Sequence, residues 1–208
     1  MNHAIKASVL ICLAALTGCS PKSNQAGGFA KTSFDPAVAG NVEQNGKPTT
    51  VADITFVAPS SWTDLGQSGM RAANFAFAPI EGEKDSATLA VFFFGQNSGG
   101  GVMDNIERWI GQMKTADGKD PHASAIQQEL TIAGMAAHVV ELAGTYAAGG
   151  MMGSPASPKE NYRMTAVVLE GPGGNVFFKL TGPIKTAQKM SETFATVLLN
   201  VKKSEAAM

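Results

Sequence analysis

Three histidines and two cysteines are the chain's stock of soft and imidazole ligands. His122 lies in a polar turn beside Pro121, and His138 lies in an alternating stretch on the parity of Val140 and Leu142. A catalytic zinc takes three protein ligands, and neither a His-Glu-x-x-His helix nor a cysteine cluster occurs. His122 is therefore expected on the surface and His138 in a sheet with its own partner. No metal and no cofactor is assigned. A Gly-x-Ser-x-Gly elbow is also missing, so no catalytic residue is assigned. Gly99-Gly100-Gly101 precedes a helical stretch, but it has no P-loop lysine, and Asp104 would repel a phosphate; a plain strand-to-helix loop is expected.

Two groups of residues remain as candidate ligand or partner contacts. Residues 147–161 (AAGGMMGSPASPKEN) carry no periodicity and place Met151 and Met152 at the apex. A long irregular segment inside a domain is usually functional or disordered. Methionine sulfur can bind Cu(I) or grip an apolar partner, although a single Met-Met pair lacks a repeated Met-x-x-Met spacing. The second group is Arg71, Arg108, Tyr162 and Arg163, with Tyr146 and Lys179, all polar residues among apolar neighbours. Buried charges need partners. The plain expectation is ion pairs with Glu107, Glu141 or Glu170. The functional one is convergence on an acidic or aromatic ligand at one edge of a sheet.

The N-terminus carries a different chemistry. Lys6 precedes an apolar run, 7–16 (ASVLICLAAL), too short for the about 20 residues a membrane span needs. This is the pattern of a secretory signal. Leu16-Thr17-Gly18-Cys19 follows and resembles the lipobox of bacterial lipoproteins. The resemblance implies diacylglyceryl transfer to Cys19, cleavage after Gly18, and acylation of the new amine by a fatty acid such as palmitate. Cys12 would leave with residues 1–18, and the mature chain could then form no internal disulfide. In a Gram-negative cell the lack of Asp at position 20 favours the outer membrane, facing the periplasm.

The elements that must position the candidate contacts follow from composition and period. The chain has 208 residues, 44% hydrophobic and 16% charged, with a net charge of −1. Such a chain can build a core, and without a basic excess nucleic acid is not an expected partner. Residues 19–50 read as a lipidated N-terminus and flexible tether, reaching roughly 30 Å for about 30 residues. Residues 51–203 read as the domain, and 204–208 as a tail. Strands are expected at Asp53–Ala58, Met70–Ala78 (Arg71 on the face of Phe75 and Phe77), Ala87–Phe94, Ile126–Ile132, Met135–Tyr146, Tyr162–Glu170 and Val176–Thr181. Val102, Ile106, Trp109, Ile110 and Met113 make a helical stripe. Ala187, Met190, Phe194, Val197 and Leu198 make another, in a helix starting at Pro183. Trp62 and Trp109 are expected in the core. The fold class is α+β: a central antiparallel sheet of about seven strands with two amphipathic helices packed on it.

Arg108-Trp109-Ile110-Gly111-Gln112, Asn161-Tyr162-Arg163-Met164 and Phe177-Phe178-Lys179-Leu180-Thr181-Gly182-Pro183 resemble segments of a group of uncharacterised bacterial secreted proteins and lipoproteins. That resemblance implies no activity. The order of elements resembles the PsbP-like α/β/α sandwich, whose members are mostly binding and assembly factors; a fold does not by itself imply a function. The sequence therefore predicts a lipid-anchored cell-envelope protein acting as a non-catalytic binding or assembly module. Its partners would be the membrane, through Cys19, and an envelope protein or small ligand. The alternative is a copper- or zinc-handling protein, or an enzyme whose site assembles from distant residues.

Overall fold

The computed structural model describes residues 45–147 and 157–204. Strands β1 (Pro48–Val51), β2 (Ile54–Val57), β3 (Thr63–Asp64), β4 (Arg71–Phe77) and β5 (Ala87–Phe92) come first. Helix α1 (Val102–Ile110), strand β6 (Met113–Lys114) and a single 3-10 turn (Pro121–Ala123) follow. Strands β7 (Ile126–Ile132), β8 (Met135–Tyr146), β9 (Lys159–Gly171) and β10 (Gly174–Pro183), helix α2 (Ile184–Leu199) and strand β11 (Lys202–Lys203) complete the order.

Eight strands form one antiparallel sheet in the order β3-β4-β5-β10-β9-β8-β6, with β7 also paired to β8. The α+β expectation is met, with one strand more in the main sheet than the approximate seven. The two helices lie on opposite faces. Ile106, Trp109 and Ile110 of α1 pack with Val140, Met164, Val168 and Phe177. Ala187, Met190 and Phe194 of α2 pack with Leu89, Val167, Leu169 and Phe178. Burial on both faces explains why β9 and β10 read as nearly continuous apolar runs. Phe56, Phe178 and Phe194 interlock at ring separations of 5.6 and 5.9 Å. Trp62 and Trp109 are core residues, 5% and 4% exposed.

The hairpins are tight. Ala133 and Gly134 both have positive φ, 50° and 71°, and join β7 to β8 with Ile132 paired to Met135. Two left-handed residues give the turn whose twist matches the flanking strands. A second small sheet, β1-β2-β11, adds Val51, Ile54 and Phe56 to the core beside α2. Strand β1 begins at Pro48, so the folded part starts inside the segment assigned to the tether. β11 uses Lys202 and Lys203, the last residues assigned to the domain, pairing with Thr55 and Ile54. Such short strands carry too few residues to show a period.

Helix α2 departs from expectation at its start. Pro183 is the last residue of β10 and the N-cap, not the first helical residue, and it offers no capping side chain. Glu83, from the β4–β5 connection, supplies the acceptor. Its carboxylate accepts from the Lys185 N–H at 3.0 Å, the Thr186 N–H at 2.7 Å and the Thr186 hydroxyl at 2.5 Å. Burial pushes the Glu83 pKa upward, but these hydrogen bonds, led by the Thr186 hydroxyl, outweigh it and leave the group below its ordinary 4.5. Its contribution is therefore full above pH 4.5 and is lost as pH falls through the lower folded-state value. Replacing Glu83 by alanine is expected to cost about 1 kcal/mol at pH 7. Urea unfolding at pH 7 and pH 3 checks this: the difference between the two proteins should shrink at the lower pH.

Among the described residues, no helix is long and apolar enough to cross a membrane.

Candidate functional site

The site is built on the α1 face of the sheet. In β10, Phe177 and Lys179 point to this face, while Phe178 and Leu180 point to α2, because strand side chains alternate. Lys179 pairs laterally with Ala90 of β5 and Ala166 of β9, so only methyl groups flank its stem in the neighbouring strands. Its ammonium donates to the Tyr146 hydroxyl at 3.1 Å and to Oε1 of Gln112. Tyr146, at the end of β8, stacks on Tyr162 of β9, with centroids 6.3 Å apart and planes 4° from parallel. On the far side of the pair, Lys159 donates to the Tyr162 hydroxyl at 3.1 Å. Tyr162 donates in turn to Asp85 at 2.8 Å, and Lys159 lies 3.4 Å from the same carboxylate.

The result is a row of lysine, tyrosine, tyrosine, lysine, with different electrostatics at its two ends. The outer end is exposed and contains an acid. There the Tyr162 hydrogen bond, then Lys159, hold the Asp85 carboxyl below its ordinary value, and the bond to Tyr162 holds Lys159 above its own. The inner end is partly buried. Among the described residues no carboxylate lies within ion-pair distance of Lys179. Burial, with repulsion from Arg108, brings the Lys179 ammonium down to about 8. Burial raises both tyrosines, and Arg71 and Lys159 partly offset this at Tyr146. Both phenols therefore stay neutral at physiological pH.

Arg71 reaches this face through a β-bulge. Simple alternation puts it with Phe75, as the sequence predicted. In the structure the register shifts between Arg71 and Ala73, so that Arg71 pairs with Phe92 and Ala73 with Val91. The extra residue reverses the parity and turns Arg71 away from α2 toward the tyrosines. Arg108 comes from the last turn of α1, where its guanidinium donates to the Asn105 side chain. Asn74 also faces this side, one strand beyond Ala90. It is 5% exposed, and its Oδ1 has no hydrogen-bond partner among the described residues.

Arg71, Arg108 and Tyr162 thus belong to the same side of the sheet. Arg163 does not join them. It is next to Tyr162 in β9 and so points to the α2 side, where it pairs with Glu141 at 3.3 Å with both side chains buried. Sequence reasoning grouped Tyr146 and Lys179 with these residues, but it missed Gln112, Lys159, Asp85 and Asn74. One signal was available: Lys179 shares the parity of the buried Phe177, an unusual place for a lysine in an apolar strand. Arg108 and Gln112, Tyr162, and Lys179 come from the three stretches quoted above, and all three meet here.

The other candidates separate from this site. Glu107 pairs with His122 at 3.4 Å, and Glu170 with His138 at 2.7 Å. Among the described residues no group of three His, Cys, Asp or Glu side chains is placed to hold a metal ion. The triple glycine is a packed loop. Asn105 donates to the Gly99 and Gly101 carbonyls at 2.9 and 2.8 Å, and a Cβ on Gly99, at φ +91°, would strike the Phe94 and Phe177 rings at 2.7 and 2.8 Å. Gly18, Cys19, Met151 and Met152 lie outside the described residues.

By architecture the protein is an antiparallel sheet between two helices, an α/β/α sandwich. No family model and no curated protein matches the sequence. Solved structures with a similar course of chain include LpqN of Mycobacterium tuberculosis, described as involved in cell envelope biogenesis. It is 13% identical, covers 77% of this chain and 86% of its own, and has a TM-score of 0.46. The cyanobacterial PsbP protein CyanoP of Synechocystis is 15% identical, covering 73% and 87%, with a TM-score of 0.42. Protein PA94 of Pseudomonas aeruginosa is 13% identical, covering 74% and 94%, at 0.37. Likeness at this level concerns the path of the chain, and function is argued below from this chain's own residues.

Proposed function

We propose that the protein is a lipid-anchored component of the bacterial cell envelope whose domain is a non-catalytic binding module. In this reading Cys19 carries the lipid, the residues between it and the folded part form the tether, and the α1 face carries the binding site. The anchor rests on the leader and lipobox pattern of the first nineteen residues. The binding role rests on one observation: stacked Tyr146 and Tyr162, with Lys179 and Arg71, converge from four strands on one side of the sheet. The aromatic stack gives apolar contact along its edge, and the ammonium groups over its two outer faces give orientation, which is how small-molecule sites are built. The outer membrane, facing the periplasm, is the proposed location.

Purification of the native protein in detergent tests both parts. Mass spectrometry is expected to show Cys19 as the first residue, carrying diacylglycerol. An intact leader or a free thiol would overturn the anchor. Denaturing the same preparation is expected to release a co-purified compound, in a smaller amount from Arg71→Ala. An equal yield from the variant, or none from either protein, would count against this face as the site.

A further inference from the structure

We propose that Lys179, with Arg71 and Arg108, seats the anionic group of a small organic ligand whose body lies against the Tyr146–Tyr162 pair. The inference rests on the reading of this face as a binding site and adds the chemical class of what it takes.

The two ends of the row are built differently. At the exposed end, where water would solvate a lysine at little cost, the protein provides Asp85. At the partly buried end, where an uncompensated ammonium costs most, it provides two neutral acceptors, Gln112 and Tyr146. It also brings cations closer: Arg108 repels Lys179, and Arg71 acts on the Tyr146 phenol. Among the described residues neither arginine has a carboxylate within ion-pair distance. An arrangement that gathers positive charge and leaves out the acid is completed by an anion from outside.

The surroundings limit the ligand further. Ala90 and Ala166 place only methyl groups beside the Lys179 stem, so no neighbouring strand supplies it with a counter-charge. The ring faces are taken up by each other and by the two ammonium groups, Lys179 5.1 Å from the Tyr146 centroid and Lys159 5.2 Å from the Tyr162 centroid, so an apolar body meets the stack at the half-buried Tyr146 edge. The buried Asn74 Oδ1, unpartnered among the described residues, stands on the same face as an acceptor waiting for a donor. A carboxylate or phosphate on an apolar body, with a hydrogen-bond donor, meets all three conditions.

Titration of the full-length protein in detergent tests this, with benzoate, phenyl phosphate and uncharged benzamide as probes and the Tyr146 and Tyr162 ring signals followed by NMR. At pH 7 at least one anion is expected to bind saturably, and benzamide at least about tenfold more weakly. Lys179→Met is expected to weaken the anion by at least about tenfold. Arg71→Gln, at an exposed position that folding does not need, should weaken it about threefold or more. Affinity should fall as pH rises above 8, where Lys179 loses its proton. The titratable and charged groups nearest it are Tyr146 and Arg108, with Arg71 acting on Tyr146, and Tyr162, Lys159 and Asp85 lie beyond Tyr146; the raised tyrosines remain neutral at that pH. Anion binding unchanged in both variants would overturn the proposal. Benzamide binding as tightly as benzoate would overturn the anion class and leave the binding face standing. Silence from all three probes while the native protein still releases a compound sensitive to Arg71→Ala would also overturn the anion class alone. With no such compound, both readings fail.

Discussion

Replacing Glu141 by leucine is expected to cost about 3–5 kcal/mol of unfolding free energy, because it leaves the Arg163 guanidinium buried without its counter-charge. The two groups are 3.3 Å apart, with side chains 2% and 6% exposed. Thr165 donates to the same carboxylate at 3.2 Å and bonds to Ser191 of α2 at 3.0 Å, so the pair is tied into the contact between sheet and helix. Arg163→Met should cost a similar amount by stranding the carboxylate. Changing both together should cost much less than the two costs added, since apolar side chains of like volume often replace a buried pair with little loss. Urea denaturation of the four proteins completes the cycle. Additive losses would mean that the two charges do not act as a pair.

Phe178→Ala is expected to remove about 3–5 kcal/mol for a different reason, the cavity left behind. Phe178 is fully buried and touches Phe56 edge-on and Phe194 at a tilt. It therefore joins β10 to both the small sheet and α2. Its neighbour Lys179 projects from the opposite side of the same strand, so loosening β10 disturbs the ammonium as well. Leu65→Ala, at a position 48% exposed, should change stability by no more than about 0.5 kcal/mol. Equal losses at the two positions would contradict this assignment of the core.

Much of the fold was legible because long elements repeat their period. The stripes of α1 and α2 and the alternation of β7 recur over enough residues to be read without a structure, although α1 stops at Ile110 and Met113, counted in its stripe, belongs to β6. The Ala133-Gly134 turn was legible from spacing alone. What escaped was short or non-local. β1 and β11 are too brief to show a pattern. Glu83 caps a helix 102 and 103 residues away, and no local signal marks it. The bulge before Ala73 moved Arg71 to the face opposite the one its parity implied. Tyr162 and Arg163 were grouped because both are polar in an apolar run, yet adjacent strand residues cannot share a face. The candidate site was half visible for the same reason: its members could be noticed singly, but their company depends on strand order.

The amino-acid sequence by itself determined the α+β class, the two amphipathic helices, and the leader and lipobox pattern from which the anchor is inferred. These are local properties, written in the order of apolar and small residues along a few turns or strands. Only the tertiary structure decided that Arg163 belongs to the core, and that Lys179 stands between Gln112 and Tyr146 with, among the described residues, no acid beside it. Lateral neighbours in a sheet are fixed by pairing between distant segments. Whether a charge is neutralised or left to await a partner depends on those neighbours.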